Sequence, residues 1–175
     1  MVILIAGATH TGKTLLAQKL VERYHYPCLS MDHLKMGLIR SGQTNLTPMD
    51  DDGALTAYLW PIVREMVKTA IENNQNLIVE GCYIPFSWKE DFSSQYLPHI
   101  RCHWLIMSER YIRSHFSLIR DHACAIETRL DDGDLNPKAL IRENQQNRTN
   151  CQAHGCNYTL IDEQYPTWED MLPDT

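Results

Sequence analysis

A run of residues near the start of the chain has the types and spacing to do chemistry on a phosphate. Gly7-Ala8-Thr9-His10-Thr11-Gly12-Lys13-Thr14 satisfies the pattern G-x-x-x-x-G-K-[ST] without a mismatch. Glycines at both ends let the backbone curl, so that successive N–H groups point inward at anionic oxygens. A helix beginning where the curl ends adds its unpaired N–H groups and the positive end of its dipole. Lys13 would set a point charge on the β- and γ-phosphates, and Thr14 would offer its hydroxyl to Mg²⁺. Leu15 completes the stretch expected to hold the nucleotide. The plain alternative is a Gly-rich turn between any strand and helix. Gly-Lys-Thr in register after an apolar run argues for a nucleoside-triphosphate site instead.

Other candidates lie further along. Asp32 follows Cys28-Leu-Ser-Met and reads as the end of a second strand. A carboxylate there can orient or deprotonate an acceptor hydroxyl, or it can cap the helix expected at 33–40. Glu80 ends the otherwise apolar Leu77-Ile-Val-Glu, where an unpaired buried carboxylate is costly. It needs a partner, either hydrated Mg²⁺ shared with Thr14 or a nearby arginine. Seven of the ten arginines lie between 101 and 148, as a helical lid over a triphosphate would require. Arg110 and Arg113 are the preferred pair, because they follow a strand within one helical turn. His10 is expected to shape the loop or face the adenine side rather than act as a base. Asp50, Asp51 and Asp52 read as a helix-starting cluster, with a metal site as the alternative. Cys151, His154 and Cys156, with His122 and Cys124 upstream, could supply metal ligands, but neither cysteine pair has C-x-x-C spacing.

These side chains need elements to position them. Val2–Ala6 is an apolar strand, and Leu16, Leu20 and Tyr24 mark a helix that Pro27 stops. Residues 28–32 form a short strand, 33–40 a helix and 41–53 a mobile loop of turn composition. Helical spacing runs from Leu55 to Ile71, with Pro61 expected to kink it or restart it. Strands are expected at 77–81, 102–107 and 157–161. Helices are expected at 109–119 and across 120–153, the latter around the turn Asp131-Asp-Gly-Asp134, with an acidic tail closing the chain. Five strands alternating with helices imply an α/β fold with a parallel sheet covered on both faces. The phosphate loop then falls at the carboxyl edge of that sheet, where ligands bind in such folds.

Bulk properties narrow the classes. A chain of 175 residues suits one domain with its own core. A net charge of −6 argues against a non-specific nucleic-acid or anionic-membrane surface. No apolar run approaches the 18 or so residues of a membrane span, and the first strand begins at once, so neither a span nor a signal peptide is expected. Six scattered cysteines fit reduced thiols and a cytoplasmic location. Composition specifies no oligomeric state.

The phosphate loop, an Asp at the expected end of strand 2 and Glu80-Gly81 ending strand 3 are three parts of a larger order. An Arg-rich helical region after strand 4 and a final strand ending in Ile161-Asp162 complete it. In that order they resemble the adenylate-kinase-like P-loop kinases, over essentially the whole chain. The resemblance implies a three-layer P-loop NTPase fold with a helical lid, taken here as one domain over 1–175. Its acceptor-binding region would lie at about 33–60 and its lid at about 110–150. It also implies ATP and Mg²⁺ as cofactors and transfer of the γ-phosphate to a small acceptor. Asp32 and Lys35 would then lie where the family places acceptor-binding residues. One departure is specific: Gly81-Cys-Tyr-Ile-Pro85 stands where adenylate kinases carry Gly-Phe-Pro-Arg, so the match to AMP recognition is poor. Rival readings are a slowly hydrolysing nucleotide switch, although guanine-reading Asn-Lys-x-Asp is missing, and a zeta-toxin-like kinase of activated sugars.

Overall fold

The computed structural model describes residues 1–121 and 135–171. The turn at 131–134, His122, Cys124, Arg129 and the last four residues of the acidic tail lie outside the described residues. The order is β1 (Val2–Gly7), α1 (Lys13–Tyr24), β2 (Cys28–Ser30), α2 (Met31–Arg40), α3 (Asp52–Glu72) and β3 (Leu77–Gly81). Two 3₁₀ turns, Trp88–Asp91 and Leu97–His99, lead into β4 (Ile100–Met107). Then come α4 (Glu109–Asp121), α5 (Pro137–His154), β5 (Tyr158–Ile161) and α6 (Trp168–Met171).

All five strands are parallel, in the order β2-β3-β1-β4-β5. Every residue of β1 is buried, which is why its sequence is an unbroken apolar run rather than an alternating one. Its alternate side chains serve two cores. Val2, Leu4 and Ala6 pack with Leu55, Leu59, Val63 and Val67 of α3 and with Trp88, Phe92 and Trp104. Ile3 and Ile5 pack with Leu16 and Leu20 of α1, Ile112 of α4, and Leu140 and Ile141 of α5. This gives three layers, helix on sheet on helix. The chain leaves β1 toward one side of the sheet and crosses to the other after β3, so the carboxyl end of β1 is a topological switch point.

Local boundaries depart from sequence expectation for identifiable reasons. Helix α1 ends at Tyr24 as its spacing predicts, but the stop is His25 rather than Pro27: its left-handed φ of 57° turns its N–H onto the Val21 carbonyl. Helix α2 begins at Met31, so Asp32 does not end a strand; it is the second residue of a helix. Packing sets that start: Met31 is fully buried, and a Cβ on Gly81 would stand 2.7 Å from the Met31 Cβ. Among the three aspartates, Asp51 caps α3 by accepting from the Gly53 and Ala54 N–H groups, and Asp52 lies in its first turn. Helix α3 is assigned as one element straight through Pro61. Helix α4 has one non-helical residue, His115 at φ −120°. Helix α5 is capped by the Asn136 side chain and ended by Gly155 at φ 60°. Among the described residues, no helix is long and apolar enough to cross a membrane.

Candidate functional site

The phosphate-loop sequence links β1 to α1, and two glycines make its curl possible. Gly7 has φ 146°, and a Cβ there would meet the Leu105 carbonyl oxygen at 2.5 Å and Thr11 Oγ1 at 2.9 Å. Gly12 has φ 84°, and a Cβ there would lie 2.0 Å from the Tyr165 hydroxyl. Any side chain at either position is both strained and obstructed. His10 also takes a left-handed φ of 63°, and its Nδ1 lies 2.9 Å from Thr9 Oγ1. Thr11 is buried and donates to the Ala8 carbonyl, while the Tyr165 hydroxyl donates to the Thr11 carbonyl from outside. The curl is thus held by the Thr11 and Tyr165 side chains.

Lys13 opens α1 with its side chain folded back across the loop. It is 7% exposed, and its Nζ donates to the Ala8 carbonyl at 2.7 Å and reaches the Cys82 thiol. The next residue faces the sheet: Thr14 Oγ1 donates to Glu80 Oε2 at 3.3 Å. Glu80 pairs in register with Ile5 of β1 and is 3% exposed, so the Thr14 hydroxyl supplies the polar partner that burial demands. One hydroxyl and one carboxylate beside a phosphate loop form the hard oxygen set that suits Mg²⁺.

A second group of side chains faces the loop from α2 and the segment after β3. Lys35 Nζ lies 2.6 Å from Asp32 Oδ1 and 2.8 Å from the Tyr83 hydroxyl, and it sits 4.9 Å from the Tyr83 ring centroid. Burial works against the Lys35 charge, but the bonds to Asp32 and Tyr83 outweigh it and raise its pKa. Burial also pushes the Tyr83 phenol up, more than Lys35 pulls it down. Asp32 is not the cap of α2, since Ser30 holds that position. Its carboxylate stays half exposed beside Lys35.

Helix α5 adds a carboxylate that sequence reasoning missed. Glu143 accepts from the Thr9 N–H and lies within electrostatic reach of Lys13 and Asp52. Burial pushes its carboxyl pKa up, with Lys13 opposing. Cys82, Tyr83 and Tyr165 were also unmarked as site residues. None carries a spacing signal, because each reaches the loop from a different element. Arg110 and Arg113 lie where α4 was expected to carry them, but their guanidinium groups are engaged at the surface. Arg110 pairs with Asp162 and Glu163, and Arg113 with Glu109.

A cavity of about 820 Å³ opens at the opposite edge of the sheet, lined by residues such as His25, Pro27, Met66 and Leu77. It contains neither the curled backbone nor the Lys13–Glu80 chemistry, so size alone does not make it the site. Among the described residues, no group of three or more His, Cys, Asp or Glu is arranged to hold a metal ion.

The fold is similar to solved kinases. A gluconokinase from Sinorhizobium meliloti 1021 matches with a TM-score of 0.53 at 15% identity, over 97% of this chain and 85% of that one. A deoxyadenosine kinase from M. mycoides gives 0.54 at 11%, over 98% and 94%. A shikimate kinase from Bacteroides thetaiotaomicron gives 0.50 at 11%, over 93% and 86%. No family model matches the sequence, and no curated protein does. The chain has the fold of the P-loop kinases.

Proposed function

We propose that this protein is an ATP- and Mg²⁺-dependent phosphotransferase that moves the γ-phosphate of ATP to a hydroxyl of a small acceptor. The observation that carries the reading is the G-K-T loop with Lys13 across it and the Thr14–Glu80 pair at its base. The kinase fold supports it. The chain acts as one kinase domain, with acceptor contacts from about 33–60 and a lid from about 110–150, and it works in the cytoplasm.

Loop N–H groups from Gly7 to Leu15 and the start of α1 hold the β- and γ-phosphates. Lys13 exchanges the Ala8 carbonyl for phosphate oxygens, and His10 sets the loop's shape. Thr14 and Glu80 are the residues that would hold Mg²⁺. When bound, that ion neutralises charge on the β- and γ-oxygens. Asp32 takes the acceptor hydroxyl's proton as its oxygen bonds to Pγ and the bridging oxygen leaves with ADP. Arg110 and Arg113 exchange surface carboxylates for the migrating phosphoryl when the lid closes.

Product analysis tests this reading. The protein is incubated with γ-labelled ATP, Mg²⁺ and a metabolite library that includes activated sugars, and the label is followed by mass spectrometry. A phosphorylated acceptor is expected. Label appearing only in inorganic phosphate would overturn the kinase reading in favour of a nucleotide switch.

A further inference from the structure

Between Glu80 and Tyr83 the chain touches the phosphate loop and α2 in quick succession. Glu80 of β3 meets the Thr14 hydroxyl, and the Cys82 thiol meets the Lys13 ammonium. Gly81 lies against Met31, where α2 starts. Tyr83 then reaches α2, and its hydroxyl accepts from Lys35 Nζ at 2.8 Å. The same ammonium donates to Asp32 Oδ1 at 2.6 Å. One short segment thus ties the phosphate loop to the helix that carries Asp32.

Core packing alone does not account for the Tyr83 hydroxyl. The residue is buried in the core that holds Met31, Ile84 and Trp88, where a phenylalanine ring would pack equally well. The hydroxyl engages an ion pair instead. Lysine is a compact charge on a flexible four-carbon stem, and holding it in one geometry costs rotamer freedom. An exposed pair such as Lys19–Glu22, at the same i, i+3 spacing, has no such anchor and contributes little. The Lys35 side chain is only 11% exposed, with one donor on a carboxylate and another on a rigid phenol. Lys35 therefore holds one Asp32 oxygen in a fixed direction. Among the described residues no hydrogen bond engages the other oxygen, and the carboxylate is half exposed.

On the kinase reading above, we infer that Tyr83 is a positioning residue for phosphoryl transfer: its hydroxyl anchors Lys35 on Asp32 and so aims the carboxylate at the acceptor. The engaged oxygen stays on Lys35. The other takes the acceptor hydroxyl's proton as that hydroxyl's oxygen bonds to Pγ and ADP leaves. Tyr83 lies within three residues of Glu80 and next to Cys82, so the same segment sets the place of Asp32 relative to Thr14 and Lys13. A displacement of about 1 Å at a reacting group can cost about 10²-fold in rate, so a lost anchor is read in turnover.

The test is a double-mutant cycle on the full chain, with γ-labelled ATP, Mg²⁺ and the library member that gains label. Tyr83→Phe keeps the ring and deletes the bond to Lys35. Its kcat should fall about tenfold, the scale of one hydrogen bond to a charged group, while KM for ATP and for the acceptor moves about twofold or less. Affinity for a fluorescent ATP analogue should hold. Added to Asp32→Asn, Tyr83→Phe should cost only about twofold or less in kcat, because the group through which it acts has gone. A side chain that serves only the core gives the opposite pattern: a lower melting temperature with kcat unchanged, or losses that multiply in the double variant. Either result overturns the inference and leaves the kinase reading intact. If Tyr83→Phe does not fold, Lys35→Met breaks the same link from its other end, and the same cycle with Asp32→Asn decides by the same outcomes. A parent chain that binds no ATP analogue, or labels only inorganic phosphate, overturns both.

Discussion

The two halves of the cleft are built in opposite ways. On the proposed function, the phosphate half is a single continuous stretch, Gly7 to Leu15, whose curl is held by two glycines and the buried Thr11. On the same reading, the acceptor half draws on Asp32 and Lys35 of α2 and Tyr83 after β3, side chains from separate parts of the sequence. A backbone site tolerates change at most of its side chains but not at its glycines or its lysine. A side-chain site can be retuned one residue at a time. Three neighbours of this fold act on different molecules by name, a gluconokinase, a deoxyadenosine kinase and a shikimate kinase, and identity to each is 15% or less.

The contrast predicts a graded set of effects. Lys13→Ala is expected to cost the most, about 10³-fold in turnover, because the β/γ charge loses its counter-ion in a buried setting. Its melting temperature should stay near that of the parent. Normal turnover in a well-folded Lys13→Ala protein would remove the phosphate half from the mechanism. Asp32→Asn comes next, at about 10²-fold in transfer, the scale for a positioned base. Asparagine keeps the size and can still accept from Lys35, so ATP affinity should not move. Full transfer activity in this variant would shift acceptor activation to another group, with Glu80 the first to examine.

Thr14→Val should raise the Mg²⁺ concentration required for activity about tenfold, with little change in acceptor KM. Equal Mg²⁺ titrations for variant and parent would exclude Thr14 as a ligand. Tyr165→Phe is the smallest effect expected. It removes one hydrogen bond to the Thr11 carbonyl, worth about 0.5–1.5 kcal/mol, so nucleotide affinity should weaken by roughly three- to tenfold. A change in acceptor selectivity instead would mean that the two halves are coupled through this loop.

What could be read without coordinates follows the same division. The loop, the five strands and the parallel α/β class were legible, because the loop is contiguous and β1, buried on both faces, is an unbroken apolar run. The cap of α3 was legible because a capping carboxylate lies within three residues of the N–H groups it satisfies. Asp32 shows where this reading fails. Local sequence suggested a strand through residue 32, yet Met31 packing onto Gly81 draws the helix back to residue 31, and that contact spans 50 positions. The end of α1 at Tyr24 was legible, but its cause was not: His25 adopts a left-handed conformation that glycine would have announced and histidine does not.

The sequence by itself determined the loop that the proposed phosphate site uses, since a curl, a cation and a hydroxyl can be specified by neighbours along the chain. Only the tertiary structure decided which distant side chains meet around that loop. Glu143 and Thr9 are 134 positions apart, and Lys35 and Tyr83 are 48 apart. Nothing in the local pattern of α5 marks Glu143, because an acidic residue followed by Asn144, Gln145 and Gln146 reads as surface until the helix is laid against the loop. Arg110 and Arg113 show the converse. Their spacing does not announce the partners they meet here: the turn after β5 brings Asp162 and Glu163 to Arg110, and Glu109 pairs with Arg113 one helical turn away. The partner a charged side chain meets is set by which elements the fold makes adjacent, and that adjacency is a property of the sheet order rather than of any stretch of sequence.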